Sequence, residues 1–302
     1  MLLISPYVNG DQAHYRKFYS LVEDSASIIE IFKISQFNLG SVEPVSTLML
    51  WGGAYLGIDK DIYISVLNVI LCLLLVKFLL KFDTHPALVF LFLANFYLIV
   101  VMTGAERLKF AYIFLLAASL AGGKFKYLLY SASFLSHFQM GILFASGLSG
   151  WFSEKVKRTF SKGKIDIRFV LLLVAISVFF FMTVFVFGEH ISGKIESYSD
   201  HNFSIFDLLQ ISIIGIGALF FGRDKFKHTI TLLSLVPALI LLGGSRVNMI
   251  IYSLVVFLLV TERRQNNIFI YSLAIYFSIK SVPFIESIYE YGDGFYGLLN
   301  NK

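Results

Sequence analysis

The sequence predicts an all-α protein, a polytopic transmembrane helix bundle with about 8–10 membrane-inserted spans plus re-entrant or dipping helices. Three observations predict it. Hydrophobic residues make up 57% of the 302-residue chain and charged residues only 15%, with a mean hydropathy of +0.75, whereas soluble domains carry roughly 25% charged residues. The apolar residues gather into runs close to the ~20 needed to cross a bilayer as a helix. Between those runs there is no alternating strand pattern, and backbone groups in lipid must be bonded internally, so the spans are helices and not barrel strands.

Taken in order, MLLISPYV is too short for a cleavable signal and lacks its basic start and small-residue cleavage site. Residues 9–43 are polar and read as an outer-face segment. The stretch 43–61, EPVSTLMLWGGAYLGIDKD, reads as a short element dipping into the membrane, with Gly53 and Gly57 as a GxxxG packing pair. Spans are expected over 62–81, 86–104, 108–123, 167–188, 204–222, 227–244, 246–261 and 267–285. The lone Cys72 lies in an apolar run and is expected to pack. Residues 126–155 have basic ends and length for one crossing. They form either a single helix or a re-entrant pair of half-helices turning near His137, and the second is favoured because a turn there would line a cavity. The whole, 1–302, reads as one integral membrane domain.

Basic residues set the orientation. Lys77, Lys81, Lys124, Lys126, the loop 153–168 with Lys155, Lys157, Arg158, Lys162, Lys164 and Arg168, then Arg223, Lys225, Lys227, Arg263 and Arg264 can all be cytoplasmic together. The formal charge of +5 is therefore a topology signal, and no nucleic-acid partner is expected. Segments 9–43 and 188–204 fall on the outer face, as do the boundaries at 104–107 and 243–246.

Two arginines carry the chemistry. Arg107 follows Thr103-Gly104-Ala105, and Arg246 follows Gly243-Gly244-Ser245, so each stands where a small-residue break gives way to a helix. A guanidinium beside hydrocarbon costs roughly 2.5–3.5 kcal/mol and persists where it finds water, a partner or an anion. Guanidinium and helix N-terminus together suit phosphate oxygens, while a structural salt bridge, with Glu106 nearest in sequence, is the competing reading. His137, alone in an apolar setting, is a proton-transfer candidate. Asp11 and Glu43 adjoin membrane elements and are candidates for a general base or for holding a metal beside a lipid-linked phosphate. Lys194 and Tyr198 in the outer loop can contact sugar hydroxyls and phosphate. Asp59-Lys60-Asp61 matches a metal-holding DxD pattern, but the sheet that carries it elsewhere is absent. The scattered histidines give no metal spacing. No metal and no cofactor are expected, and the nucleotide-cradling glycine motifs are missing.

The order GDQAHY, VEPVSTLMLWGGAYLG, TGAERLKFAYIFLLA, LSHFQMGIL, KIESYSD and SRVNMIIY resembles the EpsG-like family of polysaccharide polymerases, relatives of the Wzy-type O-antigen and capsule polymerases. Leu108 stands where that family has glutamine, and Ser136 precedes His137 where it has phenylalanine. The resemblance implies a glycosyltransferase of the bacterial inner membrane that moves an undecaprenyl-pyrophosphate-linked glycan onto the next lipid-linked repeat unit at the outer face. It further implies membrane lipid, a chain-length regulator and a flippase as partners. Pyrophosphate stabilisation then falls to Arg107 and Arg246, and acceptor deprotonation to His137 or Asp11, with Tyr15, Glu43, Lys194 and Tyr198 at the substrate. A flippase or transporter of lipid-linked oligosaccharide, an O-antigen ligase and a membrane acyltransferase are the alternatives.

Overall fold

The computed structural model describes residues 2–25, 27–40, 43–148, 152, 155, 167, 205–233, 235 and 244–296, and among these there is helix and no strand. The helices are α1 Asp11–Val22, α2 Ile28–Leu39, α3 Pro44–Tyr55, α4 Lys60–Lys81, α5 Pro86–Leu93, α6 Phe96–Thr103, α7 Glu106–Leu120 and α8 Phe125–Ser136. A helical run over 140–148 follows, then α9 Ile205–Phe221, α10 Lys225–Leu233, α11 Gly244–Thr261 and α12 Ile268–Tyr291. They fall into two compact units, residues 1–140 with 265–302, and residues 141–264.

Helix boundaries follow from local chemistry. The Asp59 carboxylate accepts from the amides of Asp61 and Ile62, so α4 starts at Lys60. The expected single span over 86–104 is instead a bent pair. Asn95 accepts from the Tyr97 amide and starts a new helix, and α5 and α6 meet at 46°. Helix α8, which starts just after Lys124, ends at His137, whose backbone is extended (φ −158°, ψ 111°), which is the break expected there.

Among the described residues two helices, α4 with 22 residues and α12 with 24, are long and apolar enough to cross a membrane, or three spans if the bent pair α5–α6 counts as one. The described residues thus give fewer spans than the 8–10 expected. With 15 and 12 residues, α7 and α8 reach only about 22 and 18 Å, short of a hydrocarbon core of about 30 Å. All but the first residue of the expected span 167–188, the loop 188–204 with Lys194 and Tyr198, most of the basic loop 153–168 and most of 234–243 lie outside the described residues. Long helices carry exposed apolar stripes: Ile62, Val66, Val69 and Leu73 on α4, and Leu209, Ile213, Ile216 and Phe220 on α9. Both repeat at four, three and four residues, the geometry of one helix face left apolar toward its surroundings.

In the first unit, side-chain bonds sort the helix ends into two levels. At one level Lys60 opening α4 meets Glu106 opening α7, and Gln12 of α1 bonds the carbonyl of Thr103, which closes α6. The end of α12 joins them: the Val8 and Asn9 amides donate to the Gly292 carbonyl, and Tyr7 donates to Asp293. At the other level Lys81 closing α4 bonds the Ser119 carbonyl near the end of α7. There Gln265 and Asn266, just before α12, bond Phe82, Thr84, Asp83 and His85 in the α4–α5 turn. Lys77, Lys81, Lys124 and Lys126 are at this second level or within a turn of it. The register of α7 against α8 is antiparallel: Ser133 bonds the Ala111 carbonyl, and four more residues along each helix bring His137 back to the level of Arg107. Gly123, at φ +64°, makes the tight return that the intervening short turn needs.

Aromatic packing fills the space between α6 and α12, with Tyr97 against Phe277 at 4.6 Å and Phe96 edge-on to Phe284 at 5.5 Å between ring centroids. Gly53 on α3 lies under Tyr19 and Tyr63. A methyl there would come within 2.6 Å of the Tyr19 hydroxyl, so only glycine lets α1, α3 and α4 close together. In the second unit, Glu262 after α11 accepts from His228 Nε2 and from the Arg223 amide, each at 2.9 Å. Burial works against its charge, but these bonds and the Lys227 charge hold the Glu262 carboxyl below its ordinary range.

Candidate functional site

Four residues singled out in the sequence come together at the first level of the first unit. Glu43 occupies the N-cap of α3, with Pro44 at the first helical position, yet its carboxylate caps none of that helix's amides. It reaches across to α7 and α8 instead. Arg107 Nη1 donates to Glu43 Oε2 at 2.8 Å, His137 Nδ1 lies 2.8 Å from Oε1, and the Phe138 amide donates to the same oxygen at 3.1 Å. Arg107 Nε donates to the Tyr15 hydroxyl at 3.2 Å. His137 Nε2 faces Gln139 Oε1 at 3.1 Å. The result is one hydrogen-bonded chain, Tyr15–Arg107–Glu43–His137–Gln139.

Glu43, Arg107 and His137 are placed by helix termini and Tyr15 by the second turn of α1. Arg107 is in the first turn of α7, where free amides and the helix dipole add to its charge. His137 is where α8 stops, and the backbone that turns there presents the Phe138 amide. Tyr15 and Glu43 are buried at 6% and 4% exposure, while the side chains of Arg107 and His137 keep 21% and 13%. The two groups best suited to a ligand therefore remain reachable. Burial alone raises the Glu43 carboxyl, but the bond and charge of His137, the charge of Arg107 and the Phe138 amide outweigh it and leave the carboxyl well below the usual range. Burial raises the Tyr15 phenol, and the nearby Arg107 offsets this only in part, so Tyr15 stays a neutral hydroxyl at pH 7.

His137 is held as a catalytic imidazole is in a carboxylate–histidine pair. Glu43 accepts the hydrogen bond from Nδ1–H and so directs Nε2 away from itself. With Gln139 Oε1 on Nε2, both ring nitrogens face acceptors, the arrangement of an imidazolium. Rotating the Gln139 amide by half a turn presents its NH2 to Nε2 and suits the neutral ring equally.

The competing salt-bridge reading for Arg107 is half corrected: its partner is Glu43, not Glu106. Glu106 turns inward, where Oε1 accepts from Lys60 Nζ at 2.7 Å, and Lys60 also donates to Gln12 at 2.7 Å. The neighbouring Lys109 is fully buried, and among the described residues neither its Nζ nor Glu106 Oε2 has a hydrogen-bond partner. Sequence reading missed this inner ion pair, as well as Gln12 and Gln139. The DxD residues are engaged structurally: Asp59 caps α4, Lys60 holds Glu106, and Asp61 pairs with Arg16 at 2.8 Å. Asp11 is exposed in the first turn of α1 and shares no bond with the four. Arg246 falls in the first turn of α11, which begins at Gly244, as the small-residue break predicts; its side chain, like Lys194 and Tyr198, lies outside the described set.

Comparison with protein-family models, with curated proteins and with solved structures gave no match.

Proposed function

We propose that this chain is a polysaccharide repeat-unit polymerase, a multi-pass glycosyltransferase of the bacterial inner membrane using an undecaprenyl-pyrophosphate-linked donor. The observation that carries the reading is the Tyr15–Arg107–Glu43–His137 chain. It couples a guanidinium suited to a diphosphate with an imidazole suited to a hydroxyl proton, through one carboxylate, at the end of the bundle opposite Lys81 and Lys124. Under the positive-inside rule the lysine end is cytoplasmic, so this site faces outward, where lipid-linked repeat units are joined.

In the proposed reaction the acceptor sugar hydroxyl takes the place of Gln139 at His137 Nε2. As its oxygen bonds the donor's anomeric carbon, its proton passes to Nε2, and the anion held on Nδ1 balances the imidazolium. The anomeric carbon–oxygen bond to the lipid diphosphate breaks, and the diphosphate leaves with the electron pair against Arg107. Tyr15 fixes the guanidinium plane. Arg246 keeps a second diphosphate, and Lys194 and Tyr198 keep sugar contacts, on their local sequence alone. Asp11, outside the chain of bonds, is the weaker base candidate. No nucleotide is required because the donor arrives activated.

Deleting the protein and profiling the surface glycan tests the class. A polymerase loss leaves single repeat units attached to their carrier, whereas none at all would indicate a flippase or ligase.

A further inference from the structure

Glu43 is an N-cap residue that ignores its own helix. Three donors from two other elements converge on its carboxylate instead: Arg107 Nη1 at 2.8 Å, His137 Nδ1 at 2.8 Å and the Phe138 amide at 3.1 Å. One of the three is in the first turn of α7, and the other two are where α8 breaks, the Phe138 amide being fixed there by the backbone itself. A guanidinium edge, an imidazole N–H and a backbone amide form a receptor for an oxyanion with two or three oxygens, as found around bound phosphoryl groups. We propose that Glu43 is the resident occupant of an oxyanion seat, and that a phosphoryl group of the diphosphate ligand binds by displacing it. This rests on the reading of Arg107 as the diphosphate-gripping residue.

Charge forces the exchange. A phosphoryl group brought to Arg107 while the Glu43 carboxylate stays bound would place two like charges on the same donors in a partly buried site, where they repel strongly. The carboxylate must swing out before the phosphoryl oxygens reach Nη1, Nδ1 and the Phe138 amide. Arg107 offers an entry point, because among the described residues its Nη2 bonds nothing and its side chain is 21% exposed. The resident carboxylate keeps the empty seat close to neutral and His137 oriented, and its return helps expel spent diphosphate. Its cost is weaker ligand binding, since part of the interaction is used in evicting it.

Calorimetric titration of the purified full-length protein in detergent tests this, with inorganic pyrophosphate as probe and with farnesyl diphosphate and farnesol in parallel. Glu43→Gln should bind pyrophosphate at least roughly tenfold more tightly than wild type, and Arg107→Ala at least roughly tenfold less tightly. Glu43→Asp retains the charge but withdraws the carboxylate by one methylene, and should fall between wild type and Glu43→Gln. Farnesyl diphosphate should follow the same order, with farnesol insensitive to all three changes. Unchanged, weaker or absent pyrophosphate binding in both Glu43 variants, each still folded as shown by a cooperative melting transition above the assay temperature, overturns the proposal. The polymerase reading is scored separately by glycan length: tightening without any effect of Arg107 on chain length would keep the seat and sink the polymerase.

Discussion

Glu106 and Arg107 are adjacent in the chain and have opposite fates. One step of about 100° around α7 sends Glu106 into the interior, to the buried Lys60, and Arg107 to the reachable cluster with Glu43. A buried pair is costly to break singly, because the survivor is left as an uncompensated charge. Glu106→Ala should therefore lower stability by about 3–5 kcal/mol, read as a large fall in melting temperature in detergent. Lys109→Met, which replaces a buried amine without a hydrogen-bond partner among the described residues by an apolar side chain of similar length, should be neutral or stabilising. The acid range tests Glu43. Its folded-state ionisation lies below the unfolded value of about 4.3, so its contribution is complete above that value and is lost as pH falls through the folded one. The melting-temperature advantage of wild type over Glu43→Gln should hold from neutral pH down to about 4.3 and shrink below it; an advantage that grows on acidification would contradict the assignment. Much of this cluster was legible in the sequence, since Glu43, Arg107 and His137 each adjoin a helix end or a small-residue break and Tyr15 falls in the motif GDQAHY. The Lys60–Glu106 pair was not, because it joins residues 46 positions apart and no local spacing encodes a long-range tertiary contact.

At the scale of elements, polar residues decided what hydropathy could not. The run 86–104 is apolar enough for one span, and a single Asn95 divides it. The DxD stretch looks like metal chemistry when read as a pattern, but at a helix start an aspartate is a cap. Asp59→Ala should cost about 1 kcal/mol of stability through loss of that cap, with no change in metal dependence. Elongation by the wild-type protein in purified bilayers should survive chelation by EDTA. Loss of elongation that added magnesium restores would return Asp59 and Asp61 to a metal role. The α7–α8 hairpin shows why the 126–155 stretch was ambiguous in sequence. Length and flanking charge are the same for a crossing and a half-crossing, and only the pairing of Ser133 with Ala111 shows that His137 returns to the level of Arg107.

For the whole molecule, the bonds of the first unit gather Lys77, Lys81, Lys124 and Lys126 at the end away from Arg107. Exposed Asp11 belongs to the Arg107 end and exposed Lys124 to the other. In a Cys72→Ala background, Asp11→Cys should react with an impermeant thiol reagent applied to whole spheroplasts, and Lys124→Cys only after permeabilisation. Labelling of position 124 alone in intact spheroplasts would invert the orientation. The central claim is that Arg107 carries diphosphate chemistry in chain growth, and the most direct measurement is glycan chain length set against the amount of membrane-inserted protein for wild type, Arg107→Ala and Arg107→Lys. A charge-assisted bond of about 1.5–3 kcal/mol corresponds to roughly ten- to more than a hundredfold in rate when felt fully at the transition state. Arg107→Ala should thus leave single repeat units while the protein still accumulates, and lysine, which keeps the charge without the bidentate fork, should restore short chains only. Chains of wild-type length per molecule of Arg107→Ala, with polymer falling only in step with protein abundance, would contradict the account.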